Sequence, residues 1–153
     1  LIVFGVGFIL IENRNKGMKI KIGSLADITF TTALIIGMFQ LIAAIFPGTS
    51  RSGATILGAL LIGVSRTVAA EFTFFLAIPV MLGASLLKVL KFGFSFSANE
   101  MMVLATGMIT AFVISVVVIR FLMGYIKKHD FKVFGWYRII LGIIVLLYFG
   151  IVR

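Results

Sequence analysis

The chain has 153 residues, of which 61% are hydrophobic and only 12% charged, and its mean hydropathy is +1.23. Soluble domains are about 45–50% apolar and roughly 25% charged, so this composition defines an integral membrane protein and excludes a water-soluble domain. The formal charge of +9 sits on lysines and arginines at the ends of apolar segments, as the positive-inside bias requires, and does not mark a nucleic-acid surface. With no cysteine, disulfides, thiolate chemistry and zinc–thiolate clusters are all excluded.

In chain order, residues 1–11 are an apolar run about half as long as a bilayer crossing needs. They read as the end of a transmembrane helix whose start lies outside the sequence. No basic n-region or small-residue cleavage site marks them as a signal peptide. Residues 12–23 form a polar loop carrying Arg14, Lys16, Lys19 and Lys21 against Glu12. Ser24 or Asp27 is positioned to cap the next helix, which runs to Phe46. Pro47 ends that helix, and residues 53–63 are too short to span. Ser65 opens a further segment containing Arg66, Glu71 and an uncharged run over 72–87, with Pro79 expected to kink it. A loop is expected over 88–100, a span over 101–119, and a basic loop over 127–138 with Trp136 and Tyr137 as interfacial anchors. Residues 139–152 form the last span.

Two topologies fit this pattern. In one, residues 24–63 form a re-entrant helix hairpin, and the basic loops at 12–23 and 120–138 share a side. In the other, residues 29–46 cross fully, 53–87 form one long helix, and the basic loops fall on opposite sides. The positive-inside rule prefers the hairpin. Its second arm places Thr55, Ala59 and Gly63 four residues apart, a small-residue face suited to close helix packing.

Between the arms lies Pro47-Gly48-Thr49-Ser50-Arg51-Ser52-Gly53-Ala54-Thr55, a polar stretch with no acidic residue. A helix starting near Ser52 presents unpaired amide N–H groups and the positive end of its dipole, flanked by hydroxyls and one guanidinium. Such an end binds anions, and arginine pairs its donors with phosphate oxygens. The spacing Gly48-x4-Gly53 is not a nucleotide P-loop, because the lysine is missing and no strand pattern precedes it. Gln40 lies two helical turns before Pro47 on the same face, directed either into a cavity or into a helix–helix hydrogen bond. Glu71 and Asp27 are isolated, Arg66 and Glu71 read as packing or helix-end charges, and His129 sits in a Lys-Lys-His-Asp loop. On these grounds alone, a phosphohydrolase and a membrane anion transporter or channel both fit, and a structural subunit that docks a partner is a third reading.

The run from Gln40 through Pro47–Thr55, followed by Gly63-Val64-Ser65-Arg66, closely resembles the undecaprenyl-diphosphate phosphatases of the bacitracin-resistance type, over the C-terminal half of that family. The resemblance implies an all-α, polytopic protein of the bacterial inner membrane, with a re-entrant hairpin at 24–63 and three transmembrane helices over 66–153, together half of an inverted repeat. It implies hydrolysis of undecaprenyl diphosphate, a polyprenyl diphosphate lipid, to recycle the carrier for peptidoglycan synthesis. By resemblance Arg51, Ser50 and Thr55 are catalytic positions, while Gly48, Thr49, Ser52, Gly53 and Gln40 bind substrate. A divalent cation, Mg²⁺ or Ca²⁺, enters by resemblance only, and no metal ligand is assigned in this chain. The family's Glu-rich segment and its Ser-Ser-Thr-Gly-His run, implied to hold the nucleophile and acid/base groups, are not in this sequence. The expected partner is therefore the N-terminal half of the same protein; whether copies also form a homo-oligomer is open.

Overall fold

A computed structural model describes residues 1–15, 17, 19–46, 49–93 and 97–151. Six helices account for nearly all of them: α1 (Ile2–Asn15), α2 (Phe30–Ile45), α3 (Arg51–Leu61), α4 (Arg66–Phe92), α5 (Ala98–Lys128) and α6 (Lys132–Ile151). The described residues contain no β-strand, only one isolated bridge between Ile22 and Val64. Helices α4, α5 and α6 are each long and apolar enough to cross a membrane, whereas α2 is shorter.

Four helix starts are set by hydroxyl side chains, each accepting a bond from an amide that the first turn leaves unpaired. Thr29 caps α2, Ser50 caps α3, Ser65 caps α4, and Ser97 forms a capping box with Glu100 at α5. Ser24 caps only a short 3-10 turn, Leu25–Asp27, so the cap of α2 is neither Ser24 nor Asp27.

Other expected boundaries also move. Helix α1 continues through Asn15, taking Glu12 and Arg14 out of the polar loop. The expected loop at 88–100 shrinks, because α4 runs to Phe92 and α5 begins at Ala98. Residues 120–128 extend α5, and 132–138, with Trp136 and Tyr137, form the start of α6. The reason is common to all three: the helical hydrogen-bond ladder does not stop where hydropathy drops. Lysines at a helix C-terminus are favoured by the dipole, and Lys127 and Lys128 close α5 in that way.

The buried core gathers at one end, where α1, α3, the start of α4, the end of α5 and the start of α6 converge. It includes Phe8, Ile11, Ala59, Leu60, Val64, Val68, Ala69, Ile126 and Phe131. Within it Glu12 is 0% exposed and receives three contacts from Arg66, with Nε at 3.0 Å from both carboxylate oxygens and Nη2 at 2.5 Å from Oε2. The Phe131 amide donates a fourth, at 3.2 Å. One carboxylate thus joins α1, α4 and the α5–α6 turn, which makes Arg66 the packing charge expected of it. Helices α1 and α6 approach closely: a Cβ at Gly5 would lie 2.8 Å from the Gly135 carbonyl oxygen, and one at Gly135 would lie 2.9 Å from that of Gly5. Backbone cannot yield as a side chain can, so small residues there permit the contact.

The α2–α3 pair is closed at its base. Lys21 and Ile22 donate to the Gly63 carbonyl at 3.0 and 3.3 Å, and Ser65 donates to the Ile22 carbonyl at 2.9 Å. Gly63 holds φ +91°, which a residue with a Cβ rarely adopts. Thr55 and Ala59 of the small-residue face are buried as expected. Away from the core, large apolar side chains stand outward, among them Phe30, Leu82, Phe112 and Phe149. A contiguous apolar surface of this extent suits lipid or protein surroundings.

Candidate phosphate-binding site

Ser50 lies in extended backbone, and its Oγ accepts from the Gly53 amide at 3.3 Å. Arg51 is therefore the first helical residue of α3. Ser50 and Ser52 share a hydroxyl contact of 3.2 Å on the exposed side of this turn. Behind it, Thr55 is 1% exposed. Its hydroxyl donates to the Arg51 and Ser52 carbonyls at 3.1 and 3.0 Å, and lies 3.1 Å from the Thr73 hydroxyl of α4. Thr73 also reaches the Ala69 carbonyl at 2.8 Å. These buried hydroxyls fix the pitch of the turn that carries Arg51.

A cavity of about 240 Å³ opens over that turn, lined by Gln40 from α2, Arg51, Ser52 and Thr55 from α3, and Thr73, Ala77, Val80 and Met81 from α4. Gln40 thus lines the cavity. The Arg51 guanidinium is exposed, and its Nη2 lies 3.7 Å from Met81 Sδ. A thioether is a weak acceptor, so this contact leaves the guanidinium disposed to take a stronger anionic one. Thr49 is partly buried and donates its amide to the Phe46 carbonyl at 3.2 Å. Gly53 is buried on the opposite side of the turn, where a Cβ would collide with the Arg138 guanidinium. Pro47 and Gly48 lie outside the described residues.

A larger groove, of about 640 Å³, opens where Asn15, Lys19, Ser65, Lys127 and His129 gather. It is lined by Gly63, Val64, Ser65 and Arg66 of the motif's second part but by none of Gln40 or residues 49–55, and its basic side chains match the charge bias of a membrane-flanking surface. His129 there is exposed, stacks on Tyr125 at 4.3 Å and caps α5, the arrangement of a loop residue. Among the described residues no three His, Cys, Asp or Glu side chains are grouped to hold a metal ion.

Sequence reasoning did not place two residues beside the motif. Thr73 is hidden in an apolar run and gives no signal of its own. Arg138 reads from the sequence as the end of a loop; the structure puts it inside α6, a helix long and apolar enough to cross a membrane, where a charge by itself draws attention to a site.

Three long apolar helices and a short helical hairpin, whose turn offers an arginine and a hydroxyl-capped helix start to a small cavity, define a polytopic membrane protein with a candidate site at that turn. The chain belongs to the bacitracin resistance protein BacA family, whose family model matches residues 1–144. It is 72% identical over 150 residues to the undecaprenyl-diphosphatase of Desulfitobacterium hafniense, covering 98% of this chain and 54% of that protein. It is 68% identical over 152 residues to undecaprenyl-diphosphatase 1 of Clostridium acetobutylicum, covering 99% and 56%. An Enterococcus faecalis undecaprenyl-diphosphatase is 67% identical over 147 residues, covering 96% and 53%. The chain therefore spans about half the length of the curated relatives it matches.

Proposed function

We propose that this chain carries the phosphate-binding part of an undecaprenyl-diphosphatase, which hydrolyses undecaprenyl diphosphate to undecaprenyl phosphate and phosphate in the bacterial plasma membrane. The observation that carries the reading is one cavity bordered by Arg51, Gln40 and the first turn of α3. Phosphoryl transfer needs little from a protein beyond positioning and stabilisation of developing charge. Arg51 supplies the charge and a two-pronged donor. Gln40 offers an amide, and Ser50, Ser52, Thr49 and Gly53 supply hydroxyls or backbone to the same turn. Thr55 acts from behind, through the carbonyls of Arg51 and Ser52.

The hairpin geometry supports a re-entrant element over 24–63, followed by three crossings over 66–153. Its base is tied shut at Ile22 and Gly63, and α3 has 11 residues, so Arg51 stands about 16 Å from that base at 1.5 Å per residue. A bilayer core is about 30 Å thick, so the tip reaches its middle. Non-helical backbone at that depth survives only against protein or water, which is what a site cavity provides.

The described residues do not fit a Mg²⁺ or Ca²⁺ site, since no group of three acidic, His or Cys side chains is gathered among them. Attack on phosphorus and proton transfer fall to groups outside this chain. The test is a chimera in which the chain replaces the matched segment of the Desulfitobacterium hafniense relative, reconstituted in nanodiscs beside the chain alone. The chimera is expected to release phosphate from undecaprenyl diphosphate and the chain alone to release none. A folded, inserted chimera without activity would reject the reading, and hydrolysis by the chain alone would overturn the assignment of attack to other segments.

A further inference from the structure

The groove of about 640 Å³ at the base of the hairpin has a charged rim and an apolar floor. Lys19, from the segment after α1, meets Lys127 and Lys128 from the last turn of α5. All three side chains are exposed, and none forms an ion pair among the described residues. Asp130 is the one carboxylate among the described lining residues, and Arg66 is already neutralised by Glu12. Three lysines against one aspartate leave the rim with uncompensated positive charge. Beneath it lie Leu60, Val64 and Ile126, all buried. Helix α5 has 31 residues and is about 46 Å long at 1.5 Å per residue, well beyond a hydrocarbon core of about 30 Å. Its lysine-bearing end therefore stands at headgroup depth. Phe121, Tyr125 and His129 follow at intervals of four on one face of that end, stacked ring on ring at 6.5 and 4.3 Å. This column leads from the outward Val113 and Val117 of the same face to the rim of the groove. Aromatic rings gather where a membrane meets water.

A soluble anion would use the lysines alone. A lipid uses the lysines, the apolar floor and the ring column together. We propose that the groove binds one anionic phospholipid of the cytoplasmic leaflet, its phosphodiester among Lys19, Lys127 and Lys128 and one acyl chain along Phe121, Val117 and Val113. The side follows from the positive-inside bias, and that leaflet carries the anionic lipids that basic pockets between membrane helices take up. Bound there, the lipid bridges the segment that leads into the hairpin and the end of α5. The proposal stands whether or not the Arg51 cavity takes a phosphate, since the two sites share no lining residue.

The test places the chain in phosphatidylcholine nanodiscs with a trace of spin-labelled phosphatidylglycerol or spin-labelled phosphatidylcholine. The motionally restricted fraction of each label gives the preference between them. The wild-type chain is expected to favour phosphatidylglycerol by about tenfold or more, because one lysine near an anionic lipid counts for about fivefold. Lys127→Gln/Lys128→Gln should lose most of that preference. Arg14→Gln/Lys132→Gln removes the same charge from the same end of the helices, outside the groove, and should lose far less. Equal losses from the two pairs would reduce the effect to a diffuse surface field and overturn the site, as would a wild-type chain with no preference. Replacing chloride by inorganic phosphate at matched ionic strength should leave the restricted fraction unchanged. Displacement by phosphate would assign the groove to a soluble anion and overturn the lipid assignment. Should Lys127→Gln/Lys128→Gln lose its helical signal, Lys19→Gln decides, because Lys19 is exposed and outside the helices. A loss of about fivefold in preference there supports the proposal, and an unchanged preference rejects it.

Discussion

Replacing Arg51 by alanine in the chimera is expected to lower kcat by about 100- to 1000-fold, the loss seen when one preorganised donor is taken from a developing oxyanion. The effect is large because the groups around the cavity include no second cation on that side: Gln40, Ser52, Thr55 and Thr73 are neutral. Folding should survive, since the guanidinium is exposed and its contact with Met81 is a weak one. Arg51→Lys should recover only part of the rate, because an ammonium keeps the charge and loses the planar pair of donors. Phosphate release under saturating substrate, with membrane insertion verified separately, checks both. Near-normal turnover in Arg51→Ala would remove the assigned role.

The second large effect concerns stability. Glu12 is fully buried and held by Arg66 and the Phe131 amide, while the Arg66 side chain is 39% exposed. Removing the arginine leaves an uncompensated buried carboxylate, which costs about 3–5 kcal/mol in comparable pairs. Removing the charge of Glu12 leaves a cation that can turn towards solvent. Arg66→Ala is therefore expected to lower the melting temperature much more than Glu12→Gln, and the double variant should recover part of the loss. Thermal melts in nanodiscs measure this. Equal effects of the two single changes would show that the carboxylate is not buried as described.

The pair also shows where sequence reading stops. Glu12 and Arg66 are 54 residues apart, and nothing local to either names its partner. By contrast, the break between α2 and α3 was legible, because a proline and hydroxyl residues act on the chain within a single turn, although α3 was expected to start near Ser52 and instead is capped by Ser50 with Arg51 as its first residue. Helix α4 began at Ser65 as expected for the same reason. Boundaries near lysines were lost: hydropathy falls at Arg120 and Lys88, but the backbone ladder continues through both. That error placed Arg138 in a loop and hid its approach to Gly53. Gln40 was legible as a candidate by its spacing, and the choice between cavity and helix contact needed the packing of α2 on α3 and α4.

The most direct test is the depth of the turn that carries Arg51. The chain has no cysteine, so Thr49→Cys gives a single spin-label site beside it. Collision with oxygen and with a water-soluble nickel chelate then reports immersion. A label about 15 Å from the interface, near the bilayer middle, with Ala26→Cys and Ile62→Cys labels both at one surface, is the expected result. A label at position 49 level with the headgroups, on the face opposite that of position 26, would contradict it.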